Sequence, residues 1–252
     1  TKIYSIEGSS TESIIRQRPF RSPHHTASQT SLIGGGSSPK PGEISLAHLG
    51  VLYLDEIPEF SHSSIEALRQ PLEDKKVTIT RSRMRVTYPA NFMLVATMNP
   101  CPCGYFGDQT KECSCTPAQI ANYQRKLSGP LMDRIDLVVH VSRVPNSTLS
   151  SYNSLSCKQH KTASNLIQSA LNIQSIRYNC SDKYNSNLTN REINTFAKLD
   201  EKSKNMLSQA SDKLSLSPRS YFKIIRVART IADLDNSTKI QAAHIAEALQ
   251  YR

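Results

Sequence analysis

Tryptophan is absent from the 252 residues, but the apolar fraction of 38% is ordinary, so the chain can still bury a sizeable core. Its length suits one large domain or two small ones. Long hydrophobic runs are missing as well. No stretch approaches the roughly 20 apolar residues of a membrane span, which excludes a helical membrane protein. No signal peptide is visible, so a cytoplasmic location is expected. The sequence contains no Gly-Lys pair. A phosphate-cradling P-loop needs one, as G-x-x-x-x-G-K-[ST] between a strand and a helix. The glycine-rich stretch 34–42 sets Lys40 between Pro39 and Pro41, and it reads as a turn. Acidic residues are in deficit, 21 against 31 Lys and Arg, and the resulting net charge of +10 favours an anionic partner such as nucleic acid. The chain opens on Thr1 and not on Met, which leads to the expectation that it is a segment of something longer.

What is present centres on Gly50-Val51-Leu52-Tyr53-Leu54-Asp55-Glu56. Four apolar residues leading into two carboxylates read as a strand buried on both faces, as in a parallel sheet with helices on either side. The C-terminal end of such a strand is where open α/β sheets bind ligands. The first carboxylate can hold Mg²⁺ and the second can polarise a water, which is the Walker B pattern of nucleotide hydrolases. Any buried strand can also end in Asp-Glu, so its neighbours must decide. A second apolar run, Phe92 to Thr97, ends in Met98-Asn99-Pro100, and Asn99 there can bond a water or a phosphate oxygen. A third, Leu137 to Val141, follows Leu131-Met132-Asp133-Arg134-Ile135-Asp136. Arg134 is either an arginine finger acting on a neighbouring subunit or a salt-bridged surface residue.

Between the first two runs, Ser61 to Leu72 carries Ile65, Leu68 and Leu72 at helical spacing. Lys75 to Tyr88 alternates with period two around Lys76, Arg81, Arg83 and Arg85, which predicts a β-hairpin with a basic tip. Such a hairpin is either a solvated face or a grip on phosphates. Residues 1–30 are polar and basic, and His24 and His25 read as part of a solvated loop. Six cysteines in a chain with no secretory signal point to metal or free thiols before disulfides. Four of them, Cys101, Cys103, Cys113 and Cys115, form a C-x-C-x₉-C-x-C array that can complete a tetrahedral zinc site or remain free thiols on a loop. From about Pro145 the pattern turns helical, with segments near 158–178, 189–197, 200–213, 218–234 and 240–250. Ser217-Pro218 marks a helix start, and the Asn/Ser-rich stretch 179–190 reads as an exposed loop. The expected organisation is an α/β domain over 1–145 and a small all-helical domain over 146–252.

With these pieces in place, the sequence closely resembles the ComM (YifB) family of AAA+ ATPases, relatives of the magnesium chelatase subunit. The resemblance rests on RPFRSPHHTAS (18–28), LIGGGSSPKPGEISLAHLGVLYLDEIPEF (32–60), MNPCPCG (98–104), SGPLMDRIDL (128–137) and LSPRSYFKIIRVARTIADL (216–234). It implies a parallel-sheet AAA+ core followed by a helical lid. It also implies a hexameric ATP-driven motor on single-stranded or branched DNA, with branch-migration helicase activity in natural transformation. By resemblance Asp55 and Glu56 are Walker B, with Asp55 holding Mg²⁺ and Glu56 activating water. Asn99 resembles sensor 1, Arg134 the arginine finger, and Arg219 the sensor 2 residue that reaches ATP. The hairpin 75–88 takes the place of a pore-facing hairpin in related motors.

The sequence departs from the family at one point. The Walker A string G-x-x-G-x-G-K-[ST] should precede the region matching Thr1, and these 252 residues lack it. The chain is then a portion of a longer protein, one product of a split gene with Walker A on a separate polypeptide, or a remnant. A non-hydrolysing DNA-binding or assembly subunit and a chelatase-like subunit are the alternatives in function.

Overall fold

The computed structural model describes residues 2–7, 16–36, 38–81, 84–108, 110–141 and 156–252. The chain divides into two compact units, Thr1–Arg134 and Ile135–Arg252.

In the first unit the elements run α1 (Lys2–Glu7), β1 (Phe20–Arg21), α2 (Gln29–Ile33), β2 (Gly34–Gly35), β3 (Lys40–Pro41), α3 (Glu43–Leu46) and β4 (Val51–Leu54). They continue with α4 (His62–Glu66), α5 (Arg69–Asp74), β5 (Lys76–Arg81), β6 (Met84–Pro89), β7 (Met93–Ala96), α6 (Pro117–Gln124) and α7 (Gly129–Met132). Strands β1, β4 and β7 form a parallel sheet in that order, with Val51 opposite Phe20 on one side and Met93 on the other. The carboxylate-bearing strand is therefore the central one.

One face of this sheet builds the core. Leu52 and Leu54 are buried against Leu32, Ile44, Ile65, Leu68 and Leu131, with Leu94 packed alongside. Each such leucine contributes roughly 1.5–3 kcal/mol on leaving water. The other face departs from the sequence reading of a strand buried on both sides. Val51 and Tyr53 are half-buried, while Phe20 and Met93 are each 65% exposed and Val95 is 41% exposed. Parallel sheets are ordinarily covered on both faces, so this one is half-dressed among the described residues.

The stretch 34–42 forms a tight antiparallel pair, β2 against β3. Gly34 has φ +103°, and a Cβ there would stand 2.3 Å from the Lys40 carbonyl oxygen, so only glycine fits. The basic hairpin is β5 with β6, in register from Lys76–Pro89 to Arg81–Met84. Val77, Ile79 and Tyr88 root it in the core, and the Tyr88 hydroxyl donates to the Pro39 carbonyl at 2.7 Å. The single helix expected over 61–72 is two. Pro71 has no N–H for the Ala67 carbonyl, so the helix breaks at Ala67–Leu68 and restarts as α5, with Pro71 in its first turn.

The second unit holds α8 (Ser156–Tyr178), α9 (Asn190–Phe196), α10 (Glu201–Leu214), α11 (Pro218–Leu234) and α12 (Ala242–Gln250). Leu207, Ile224, Ala228, Ile231, Ile240 and Ile245 form its core. The third strand expected over Leu137–Val141 is not formed. Leu137, Val139 and Val141 are exposed, and the Val138 N–H donates to the Tyr251 carbonyl at 2.7 Å. An apolar run becomes a strand only where a neighbouring edge takes up its backbone groups.

The Asn/Ser-rich stretch 179–190 is likewise not simply an exposed loop. Asn185 is 2% exposed, and its side-chain amide donates to the buried Asp233 carboxylate at 2.9 Å. Arg177 and Arg229 close on the same carboxylate. A buried charge persists only when paired and hydrogen-bonded in this way.

Candidate active site

The parallel register of β4 and β7 places Leu54 opposite Ala96. The residues just beyond each strand, Asp55-Glu56 and Thr97-Met98-Asn99, are thereby set side by side at the C-terminal edge of the sheet. Two backbone bonds lock this junction. The Thr97 N–H donates to the Leu54 carbonyl at 3.0 Å, and the Ile57 N–H donates to the Thr97 carbonyl at 3.0 Å.

Thr97 then organises the carboxylates. Its hydroxyl donates to Asp55 Oδ1 at 2.6 Å and accepts from the Glu56 backbone N–H at 2.9 Å. The Tyr53 hydroxyl adds a second donor to Asp55 Oδ1 at 3.1 Å. These bonds, Thr97 first and Tyr53 second, hold the Asp55 carboxyl below its ordinary value. Glu56 sits at φ 50°, ψ 54°, a left-handed conformation unusual for a non-glycine residue. Such backbone strain costs on the order of 1–3 kcal/mol. Asn99 Nδ2 donates to Glu56 Oε1 at 3.3 Å. Asp55, Glu56 and Asn99 are thus one cluster, all three exposed to solvent.

Chemically the cluster offers an ionised, exposed carboxylate, a hard oxygen ligand suited to Mg²⁺. Beside it stands a second carboxylate oriented by an amide. The sequence reading assigned no role to Thr97. Its signal lies in the pairing of the two apolar runs, since a Thr one step past the second strand faces an Asp one step past the first.

Arg134 ends the first unit, where Nη2 donates to Glu73 Oε2 and Nη1 to the Pro130 carbonyl, both at 2.6 Å. Its side chain is only 17% exposed. Arg219 belongs to the second unit, in the first turn of α11 after the Ser217 cap and Pro218. On the hairpin, Lys76 and Arg85 are exposed. Arg83 and the Arg81 side chain lie outside the described residues. Cys101, Cys103, Cys113 and Cys115 bring all four sulfurs within 4.8 Å of one another. An N–H of Tyr105 directed at Cys103, followed by its Cys101 and Cys115 neighbours, holds that thiol down at about 5.

A parallel sheet with paired carboxylates at its strand ends, followed by a helical unit, is a partial AAA+ fold. The family model described as magnesium chelatase, subunit ChlI, matches residues 1–149, and that of the ChlI C-terminal region matches 158–252. The competence protein ComM of Haemophilus influenzae is 41% identical over 261 residues, covering 100% of this chain and 50% of that protein. The uncharacterized protein YifB of Escherichia coli is 42% identical over 237 residues, covering 94% and 46%. An uncharacterized protein of Mycobacterium tuberculosis is 36% identical over 255 residues, covering 100% and 50%. The chain belongs to the magnesium chelatase ChlI family of AAA+ ATPases, and the ComM/YifB proteins are members that it matches over nearly its whole length. It spans about half the length of these curated relatives.

Proposed function

We propose that this chain supplies the hydrolytic part of an ATP-driven motor acting on DNA. The observation that carries the reading is the cluster at the sheet edge. Asp55 accepts from Thr97 and Tyr53, Glu56 stands next to it in a left-handed conformation, and Asn99 donates to Glu56. Asp55 would hold Mg²⁺, and the ion, when bound with ATP, neutralises charge on the phosphates. Glu56 accepts a proton from the attacking water, and Asn99 fixes the carboxylate that does so. Arg219 would approach the nucleotide from the lid. Arg134 would act on an adjacent subunit of a homo-oligomeric, hexameric ring, after exchanging Glu73 for that partner.

The phosphate cradle comes from outside these residues. The outer edge of β7 pairs with no strand among the described residues, and the sheet face carrying Phe20, Tyr53, Met93 and Val95 is open. Both features suit a further parallel strand and a covering helix, from a Walker A segment in the same longer protein or in a separate polypeptide. The net charge of +10 and the hairpin cations Lys76, Arg81, Arg83 and Arg85 favour DNA as the track. The name of the Haemophilus relative, a competence protein, agrees with this. No helix among the described residues is long and apolar enough to cross a membrane.

A second reading, a non-hydrolysing DNA-binding or assembly subunit, is favoured by one observation, the lack of any Gly-Lys pair in the 252 residues. The two separate in an assay of DNA-stimulated ATP hydrolysis on the longest natural product containing this chain, with Glu56→Gln as control. The motor reading expects hydrolysis that DNA accelerates and that Glu56→Gln lowers by at least about 100-fold. Salt-dependent DNA binding with no hydrolysis would establish the second reading instead.

A further inference from the structure

We propose that Cys101, Cys103, Cys113 and Cys115 form a tetrathiolate site for one Zn²⁺, which fastens the loop between Asn99 and α6. The three contacts among Cys101, Cys103 and Cys113 measure 3.4, 3.6 and 3.5 Å. Sulfurs bound to a tetrahedral zinc at about 2.3 Å must stand about 3.8 Å apart. A disulfide would need about 2.05 Å, and none of the four is joined in one. Four mutually adjacent sulfurs make one compact donor set and not two separate pairs.

The surrounding backbone is shaped for thiolates. Gly104 takes φ +81° and its N–H donates to the Cys101 carbonyl at 3.0 Å, closing a tight turn directly after Cys103. The turn brings the Phe106 N–H to within 3.3 Å of Cys101 Sγ. Donors of this kind disperse the negative charge of metal-bound sulfur. Soft thiolates select zinc over the hard Mg²⁺ assigned to Asp55.

The loop also needs a fastener. Its described residues from Cys101 to Cys115 contain no helix or strand, Cys101 alone is buried, and Phe106 is 50% exposed. It has almost no apolar core to hold it. The two C-x-C pairs stand at opposite ends of the loop, so a metal joining them closes it at both ends. One end is contiguous with Asn99-Pro100, where Gln124 of α6 donates to the Pro100 carbonyl at 3.3 Å. The metal site itself is independent of hydrolysis. Its second effect, holding Asn99 against Glu56, rests on the role proposed above.

Metal analysis of the full chain, purified under reducing conditions without chelator, tests the site. One zinc per chain is expected, released when a mercurial titrates the four thiols. Cobalt exchanged into the site is expected to give thiolate charge-transfer and tetrahedral d–d bands. Cys113→Ser should lower the zinc content at least about tenfold, while Cys180→Ser, at an exposed cysteine outside the cluster, should leave it intact. If Cys113→Ser does not fold, the cobalt spectrum of the unaltered chain decides. A metal-free chain that takes up no cobalt, and whose four thiols react with a thiol reagent equally fast with and without chelator, overturns the proposal.

Discussion

At the scale of single residues, the Thr97 hydroxyl has the largest influence on the site. One oxygen donates to Asp55 and accepts from the Glu56 backbone N–H, so it holds down the pKa of one carboxyl and fixes the backbone of the other. Thr97→Val keeps the shape and removes both bonds. The variant should fold, losing about 1 kcal/mol because the group is exposed. If Asp55 holds Mg²⁺ as proposed, hydrolysis and Mg²⁺ affinity should fall about 10- to 100-fold. The sign of the pH effect follows from Asp55. Its carboxyl is held low by Thr97 and stays ionised to below the ordinary carboxylate value. Removing the hydroxyl raises it, so the acid limb of the rate profile should move to higher pH. A pH–rate profile and a carboxyl-carbon titration by NMR check this, and an unmoved acid limb would take Thr97 out of the account. Asn185 shows how far local reading goes at this scale. Nothing in an Asn/Ser-rich stretch announces that one of its amides lies buried beside Asp233, because that carboxylate is 48 residues away in sequence.

At the scale of elements, helix starts are legible because their signal is local. Thr189 at the head of α9 accepts from the Glu192 N–H, while Glu192 accepts from the Thr189 N–H at 2.9 Å, a reciprocal capping box. Glu192 is also paired with Lys183, and Lys183 first, then Thr189, push its carboxyl down to about 2 from an ordinary 4.5. A depressed carboxylate contributes stability that is fully present above the unfolded value and is lost as pH falls through the folded one. Glu192→Gln should therefore be less stable than the parent at neutral pH, with the gap closing between about pH 4.5 and pH 2. Paired thermal melts across that window measure it, and a gap independent of pH would assign the effect to packing. Strands behave differently, because a strand needs a partner as well as a pattern. Val51–Leu54 and Met93–Ala96 are legible as strong apolar runs. Leu137–Val141 carries the same kind of signal but meets no edge. Phe20–Arg21, two residues long and preceded by proline, carries almost none. It joins the sheet because the Pro19 carbonyl accepts from the Val51 N–H and Arg21 forks onto Glu43 at 2.6 and 2.7 Å.

At the scale of the whole molecule, one face of the sheet is open among the described residues. Phe20, Tyr53, Met93 and Val95 present apolar side chains on one side of three parallel strands, with Phe20 and Tyr53 stacked at 6.2 Å. A contiguous apolar face of this kind normally marks an interaction surface. The proposed occupant is the Walker A segment, and a charge placed on the face separates that role from a place in the chain's own core. Val95 is 41% exposed, so in the 252-residue chain Val95→Glu should change stability by no more than about 0.5 kcal/mol, the range of an ordinary surface substitution. In a longer chain that includes a Walker A segment, the same carboxylate would be covered without a partner. The cost should then rise to about 2 kcal/mol or more, and nucleotide binding should weaken with it. Urea unfolding of both chains, parent and variant, gives the four stabilities needed. A substitution equally mild in both chains would mean that the face stays in water and that the phosphate cradle is built elsewhere. A substitution costly only in the longer chain would locate the missing half of the nucleotide site on the side of the sheet that carries Met93 and Val95.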